Sequence, residues 1–111
     1  MAIEVHRGLG PGLLESVYEA CLVHELAERG LVVDRQVELP VRYKNVSIDC
    51  DYRVDLIIND QVVVELKAVE TVHPIHEAQL MTYLRLSGKK VGLLINFNVR
   101  LLRDGITRRV M

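Results

Sequence analysis

The sequence predicts an α/β fold, in the α+β sense of two main helices packed on a β-sheet. Three observations carry that prediction. Apolar residues recur at helical spacing in two separated stretches, Gly12 to Arg29 and His73 to Ser87. Between and after them run short Val-, Ile- and Leu-rich segments bounded by turn residues, the pattern of strands. The run Val91 to Phe97 is nearly all apolar, as expected of a central strand covered on both faces. With 111 residues, half of them apolar, the chain reads as one domain, 1–111, able to bury a core without staples.

Each element has its own warrant. Met1 to Arg7 read as the remnant of a short helix. Gly8-Leu9-Gly10-Pro11-Gly12 breaks it, with Pro11 suited to the start of the next. In the stretch Gly12 to Arg29 the stripe is Leu14, Val17, Tyr18, Cys21 and Leu22; Glu25 interrupts it and Gly30 stops the helix. Leu31 to Leu39 and Pro40 to Lys44 are β-rich, with Pro40 at an edge or bend. Tyr52 to Ile58 and Val62 to Ala68 form a pair around Asn59-Asp60. His73-Pro74 opens the second main helix and Gly88 ends it. Val99 to Leu102 and Ile106 to Val110 flank Asp104-Gly105, a hairpin signal. The predicted order is α-β-β-β-β-α-β-β-β, without repeats, linkers or low-complexity segments.

Composition narrows the function classes. No apolar run approaches a membrane span, and the N-terminus lacks the basic-then-apolar profile of a signal peptide. Cys21 falls in a helical pattern and Cys50 beside a strand; two thiols without metal spacing fit a reducing cytoplasm. Cys21 reads as a buried small apolar residue rather than a nucleophile. His6, His24, His73 and His76 have no zinc-type spacing, and only His76 is placed near a cleft. The net charge of −1 hides an asymmetry. From Arg85 onward seven bases face Asp104 alone, leaving the rest of the chain acidic. Lys89, Lys90, Arg100, Arg103, Arg108 and Arg109 are therefore candidates to bind a polyanion such as nucleic acid beside an acidic site. The alternative is that they shield an exposed edge strand from pairing.

The stretch with most chemistry is Asp55 followed by Val64-Glu65-Leu66-Lys67-Ala68. Side chains two apart on a strand share a face, so Glu65 and Lys67 project together from an apolar segment. Charge in such a segment needs a partner or a task. Two carboxylates and an ammonium on one face can hold a hard divalent cation and manage the charge of phosphodiester cleavage. Register tests this. A two-residue turn at Asn59-Asp60 places Asp55 opposite Val64, whereas a three-residue loop through Gln61, or an equivalent bulge, places it opposite Glu65. The metal reading demands the odd loop. The bland reading of the same residues is a salt-bridge cluster on a half-exposed sheet. Glu15 doubles as an acid favoured by a helix N-terminus, and Gln79 and Tyr83 as packing residues.

Gly12-Leu13-Leu14-Glu15-Ser16-Val17-Tyr18 reads G-x-x-E-x-x-Y, and Asp55, Glu65-Leu66-Lys67 and Gln79-Leu80-Met81-Thr82-Tyr83 follow in order. This ordered set resembles the GxxExxY protein family, a small branch of the PD-(D/E)XK nuclease superfamily, from about Ile3 to the C-terminus. Val54 stands where the superfamily's name has proline. The resemblance implies a restriction-endonuclease-like mixed β-sheet with a helix on each face, an α-β-β-β-α-β core with extra strands. It implies Asp55 and Glu65 as ligands of Mg2+ or Mn2+, with the Leu66 backbone carbonyl completing the set and Glu15 as a further acid. Lys67 would orient or deprotonate the attacking water, and Gln79 and Tyr83 would support the site and the substrate end. The function implied is a metal-dependent nuclease acting on DNA in repair, recombination or defence. A catalytically idle member that binds nucleic acid or protein, and an accessory subunit of a larger nuclease, are the alternatives. The small chain carries no dedicated DNA-reading module, which favours a homodimer or a larger complex.

Overall fold

The computed structural model describes residues 2–48 and 52–111. Met1 and Cys50, both given places by the sequence reading, lie outside these. The chain opens with α1 (Ala2–Leu9), which buries Val5 and His6, and Gly10 leaves it in the left-handed conformation, φ 71°. Helix α2 (Glu15–Glu28) buries Tyr18, Leu22 and Leu26, four apart on one stripe. It starts at Glu15 rather than Gly12, so Pro11 sits in the connection and not at the helix start. Strands β1 (Val33–Glu38), β2 (Val41–Tyr43), β3 (Val46–Ile48), β4 (Arg53–Ile58) and β5 (Val62–Lys67) follow. Helix α3 (Pro74–Ser87) then leads to β6 (Val91–Asn96) and β7 (Ile106–Val110).

Five strands form one mixed sheet in the order β1-β4-β5-β6-β7. Strands β5 and β6 run parallel, joined by α3 as the crossover, and the other neighbours are antiparallel. Helices α1 and α2 cover one face, packing on Leu56, Val64, Leu66 and Ile95. Helix α3 covers the other, packing Leu80, Tyr83 and Leu84 on Val54, Ile57, Val63 and Leu94. Gly92 lets α3 approach β6 closely, since a Cβ there would lie 2.9 Å from Leu80 Cδ1. This is the restriction-endonuclease-like arrangement the sequence predicts.

The β4–β5 connection is the odd loop the acids require. Asn59 and Asp60 are both left-handed, and Gln61 N–H donates to the Ile58 carbonyl at 3.0 Å. Ile58 pairs with Val62, so Gln61 is the extra residue of a three-residue loop.

Two further expectations need correction. The segment Val99 to Leu102 is not a strand. Leu102–Asp104 forms a 3-10 turn whose Leu102 side chain joins Val5 in the core, and β7 pairs with β6 instead. Gly105 has φ −100°, not the left-handed value a tight hairpin needs; it is glycine because a Cβ would meet the Asn96 carbonyl oxygen at 2.2 Å. The second correction concerns β3, which the sequence reading missed. It pairs with β2 in a separate hairpin whose turn residues, Lys44 and Asn45, are both left-handed.

Candidate active site

The sheet is interrupted along one row, Gln36–Asp55–Glu65. In β1, Val33 packs towards α1 and α2 while Val37 packs towards α3, although four residues apart on a strand should share a face. In β4 the same exchange separates Leu56 from Val54. Both strands switch faces at this row, and Gln36 absorbs the turn with φ 49°. The β1–β4 pairing skips Gln36 and Asp55, and the β4–β5 ladder stops at Leu56–Val64.

Side chains take over where the ladder stops. Asp55 N–H donates to Glu65 Oε1 at 3.0 Å, and Leu66 N–H donates to Asp55 Oδ2 at 2.8 Å. The two acids are thus locked opposite each other by backbone donors. Gln36 Nε2 reaches Asp55 Oδ1 at 3.3 Å and Glu19 Oε1 at 2.9 Å, linking β1, β4 and α2. Lys67 O accepts Phe97 N–H on the β6 side. Carbonyls alternate in direction along a strand, so the Leu66 carbonyl points the other way, towards the interrupted β4 side.

These residues line a cavity of about 480 Å3 beneath the start of α2, together with Glu15, Glu19 and Lys67. Four carboxylates and one ammonium therefore share a small volume. Burial, then the charge of Asp55, pushes the Glu65 carboxyl up to about 8; the Asp55 N–H and Lys67 pull the other way, and Glu15 adds to the rise. Among the described residues, no carboxylate lies within 4.0 Å of the Lys67 ammonium. Nor do three or more His, Cys, Asp or Glu side chains among them converge as a ready metal cage. Asp55 and Glu65 offer two hard oxygen donors, the number Mg2+ commonly takes from protein while keeping several waters.

The structure thus brings together Glu15, Asp55, Glu65, Leu66 and Lys67. It sets Gln79 and Tyr83 apart, in a smaller cavity of about 200 Å3 with Tyr52 and Thr82 on the α3 side. Tyr83 packs edge-on to Tyr52, with ring centroids 6.2 Å apart, and its phenol is pushed up by burial first and then by the charges of Glu65 and Asp55. It lies in the field of the acids without lining their cavity. His76 accepts the His73 N–H at 3.2 Å on Nδ1 at the start of α3. Its imidazole is pushed down by burial, then by Lys67 and His73, against an upward pull from Glu15.

Sequence reasoning missed three contributors. Glu19 follows Glu15 by one helical turn, a visible signal. Gln36 carried no signal, since nothing in the sequence marks its backbone. Asn96 is buried at the end of an apolar run and holds Val69 from both sides, accepting its N–H at 3.1 Å and donating to its carbonyl at 2.9 Å. That clamp fixes the chain just beyond Lys67.

The basic residues do not form one patch beside the acids. Lys89 and Lys90 precede β6, whose Val91 pairs with Val62 at the far end of β5. Lys67 is five residues further on, about 16 Å away at strand rise. Lys89 is also paired with Asp60 at 2.8 Å. Their expected position beside the site is corrected on this ground. Arg109 pairs with Glu77 of α3 at 2.8 Å, and Arg108 is exposed on the edge strand β7. Arg100 and Arg103 lie in the β6–β7 connection, at the same sheet end as Lys67.

The family model of the PD-(D/E)XK nuclease superfamily matches residues 1–110. The chain belongs to that superfamily. No match is found among curated proteins or among solved structures. No helix among the described residues is long and apolar enough to cross a membrane.

Proposed function

We infer that this protein is a metal-dependent nuclease that hydrolyses phosphodiester bonds in DNA, in the GxxExxY branch of its superfamily. The observation that carries the reading is the Asp55–Glu65 pair, fixed across a deliberately interrupted sheet and opening with Lys67 onto one cavity. Asp55 and Glu65 would hold Mg2+ or Mn2+, with the Leu66 carbonyl as third protein oxygen. When bound, such an ion polarises the phosphoryl group and lowers the pKa of a water.

The chain's own residues do the rest. Lys67, unengaged by any salt bridge among the described residues, is free to meet a phosphate oxygen and to orient the attacking water. Glu15 and Glu19 add negative charge at the rim, which favours cation entry. Tyr83, whose phenol is pushed up by burial and then by the charges of Glu65 and Asp55, serves as a positioning residue, and Gln79 shares its cavity towards the substrate end. The free thiol of Cys21 suits a reducing cytoplasm. The small size of the chain suits a homodimer or a place in a larger complex.

Calorimetric titration with Mn2+ tests the reading, paired with cleavage assays on linear, circular and single-stranded DNA and on RNA. Wild type should bind the ion and cleave DNA, and Asp55→Asn should lose both. Unchanged affinity in both Asp55→Asn and Glu65→Gln, or no cleavage of any substrate, overturns it in favour of an idle member of the fold.

A further inference from the structure

We propose that the groove between α1 and the β6–β7 connection binds consecutive phosphates of a nucleic-acid strand that continues past the acidic cavity. Its cavity measures about 560 Å3, and three arginines, Arg7, Arg100 and Arg103, line it. They come from opposite ends of the chain. Among the described residues, none of the three guanidiniums has an ion-pair or hydrogen-bond partner. Elsewhere Arg29, Arg35, Arg53 and Arg109 are each paired with a carboxylate, while Arg42, Arg85 and Arg108 make no salt bridge among the described residues. All three groove arginines are exposed, so their donors face solvent and are open to an anion that enters the groove. A guanidinium presents a planar fork of donors that matches phosphate oxygens in pairs.

The groove is also held in shape. The buried His6 donates from Nε2 to the Val99 carbonyl at 2.6 Å, tying α1 to the loop that carries Arg100. Val5 and Leu102 join one core cluster, two residues before Arg7 and one before Arg103 in the chain. The occupant follows from what lies beside it. Gly10 and Pro11 line the groove, while Leu14 and Glu15 line the acidic cavity. Pro11 and Leu14 are three residues apart, so these rims are separated by at most about 11 Å of chain. The Tyr18 hydroxyl fixes this shared rim, donating to the Gly10 carbonyl at 2.5 Å and accepting Leu13 N–H at 3.1 Å. A chain of regularly spaced phosphates can meet both sites at once; an isolated anion cannot.

This inference rests on the nuclease reading for its choice of polymer, and the experiment separates the two. Binding of a fluorescein-labelled DNA 20-mer is followed by anisotropy in EDTA at low salt, so that no cleavage intervenes. The triple variant Arg7→Ala/Arg100→Ala/Arg103→Ala should bind at least tenfold more weakly. Its dependence of log affinity on log salt should be shallower by about 2 to 3, as losing three phosphate contacts requires. Lys89→Ala/Lys90→Ala, at the far end of the sheet, should change affinity less than twofold. If the triple variant does not fold by circular dichroism, Arg100→Ala alone decides, with a loss of about threefold expected from one exposed contact. Wild-type affinity and slope in the arginine variant overturn the groove, as does an equal loss in the lysine pair or no binding by wild type. DNA cleavage with unaltered binding in the triple variant removes the groove and leaves the nuclease. Groove-dependent binding without cleavage under any divalent ion removes the nuclease and leaves the groove.

Discussion

Replacing Glu65 with glutamine should make the ion-free protein more stable at neutral and alkaline pH while destroying its affinity for Mn2+. Glu65 is only 7% exposed, and its carboxyl is raised from 4.5 to about 8, by burial first and by Asp55 second. A raised carboxyl means that the folded state holds a proton the unfolded chain has released. The resulting stability is fully present below pH 4.5 and is lost as pH rises towards 8. At 1.36 kcal/mol per unit, wild type should lose about 2 kcal/mol between pH 6 and pH 8 through this group. Glutamine keeps an oxygen for the Asp55 N–H, adds an amide that can donate to the Asp55 carboxylate, and does not titrate. The two proteins should therefore diverge with pH, by roughly 10 °C in Tm at pH 8 relative to their difference at pH 6. Urea unfolding in EDTA at several pH values measures this, and histidine titration cancels because it is common to both. Saturating Mn2+ should reverse the order, stabilising wild type increasingly as pH rises, because proton and metal compete for the same oxygens. Parallel stability–pH curves for the two proteins from pH 5 to 9 would refute the argument.

Three further outcomes are expected. Lys67→Ala should abolish hydrolysis while leaving Mn2+ affinity intact and stability within about 0.5 kcal/mol, since no carboxylate among the described residues depends on that ammonium for a salt bridge; turnover at matched metal and pH is the check. Tyr18→Phe should cost about 1 to 3 kcal/mol by urea unfolding, because the ring stack on Phe97 at 4.4 Å survives while the Gly10 carbonyl and Leu13 N–H lose their partner. Gly105→Ala should cost about 3 kcal/mol or more, its Cβ falling 2.2 Å from the Asn96 carbonyl oxygen, and amide exchange should quicken first at Asn96 and Val69.

Much of the fold was legible because it depends on period. Tyr18 and Leu22 of the predicted α2 stripe, the apolar run of β6 and the left-handed tolerance of Asn59-Asp60 all express rules local to a few residues. Leu14 and Val17 of the same stripe are exposed, and Leu26 joins the buried face instead. The odd loop was legible for a further reason: only one register lets Asp55 meet Glu65. What escaped was set by distant contacts. Gln36 is left-handed because its amide bridges Glu19 and Asp55, from elements far apart in sequence. Leu102 leaves the strand pattern because the core under α1 accepts it. Gln79 and Tyr83 share a helix stripe, as their spacing promised, but the stripe opens beneath the acids rather than among them. Charge read along the chain likewise said nothing of place: six bases close in sequence are divided between two ends and an edge of the sheet.

The arrangement of partners supports the proposed cation site over the salt-bridge cluster that the same residues could have formed. In a structural cluster the acids would be matched by nearby bases. Here Arg35, the guanidinium on the adjoining strand, is taken by Glu19 at 3.3 Å, and Lys67 makes no salt bridge among the described residues. Asp55 and Glu65 are instead held by backbone N–H groups and the neutral amide of Gln36, donors that fix direction without cancelling a full charge. Those donors exist only because the sheet gives up its own pairing at this row. Ladder bonds surrendered to orient two carboxylates, one of them raised to about 8 by burial and by the other's charge, are what the proposed cation site would need, since a positive charge between them relieves that repulsion. A divalent cation carries twice the charge of a proton and can bind both carboxylates at once.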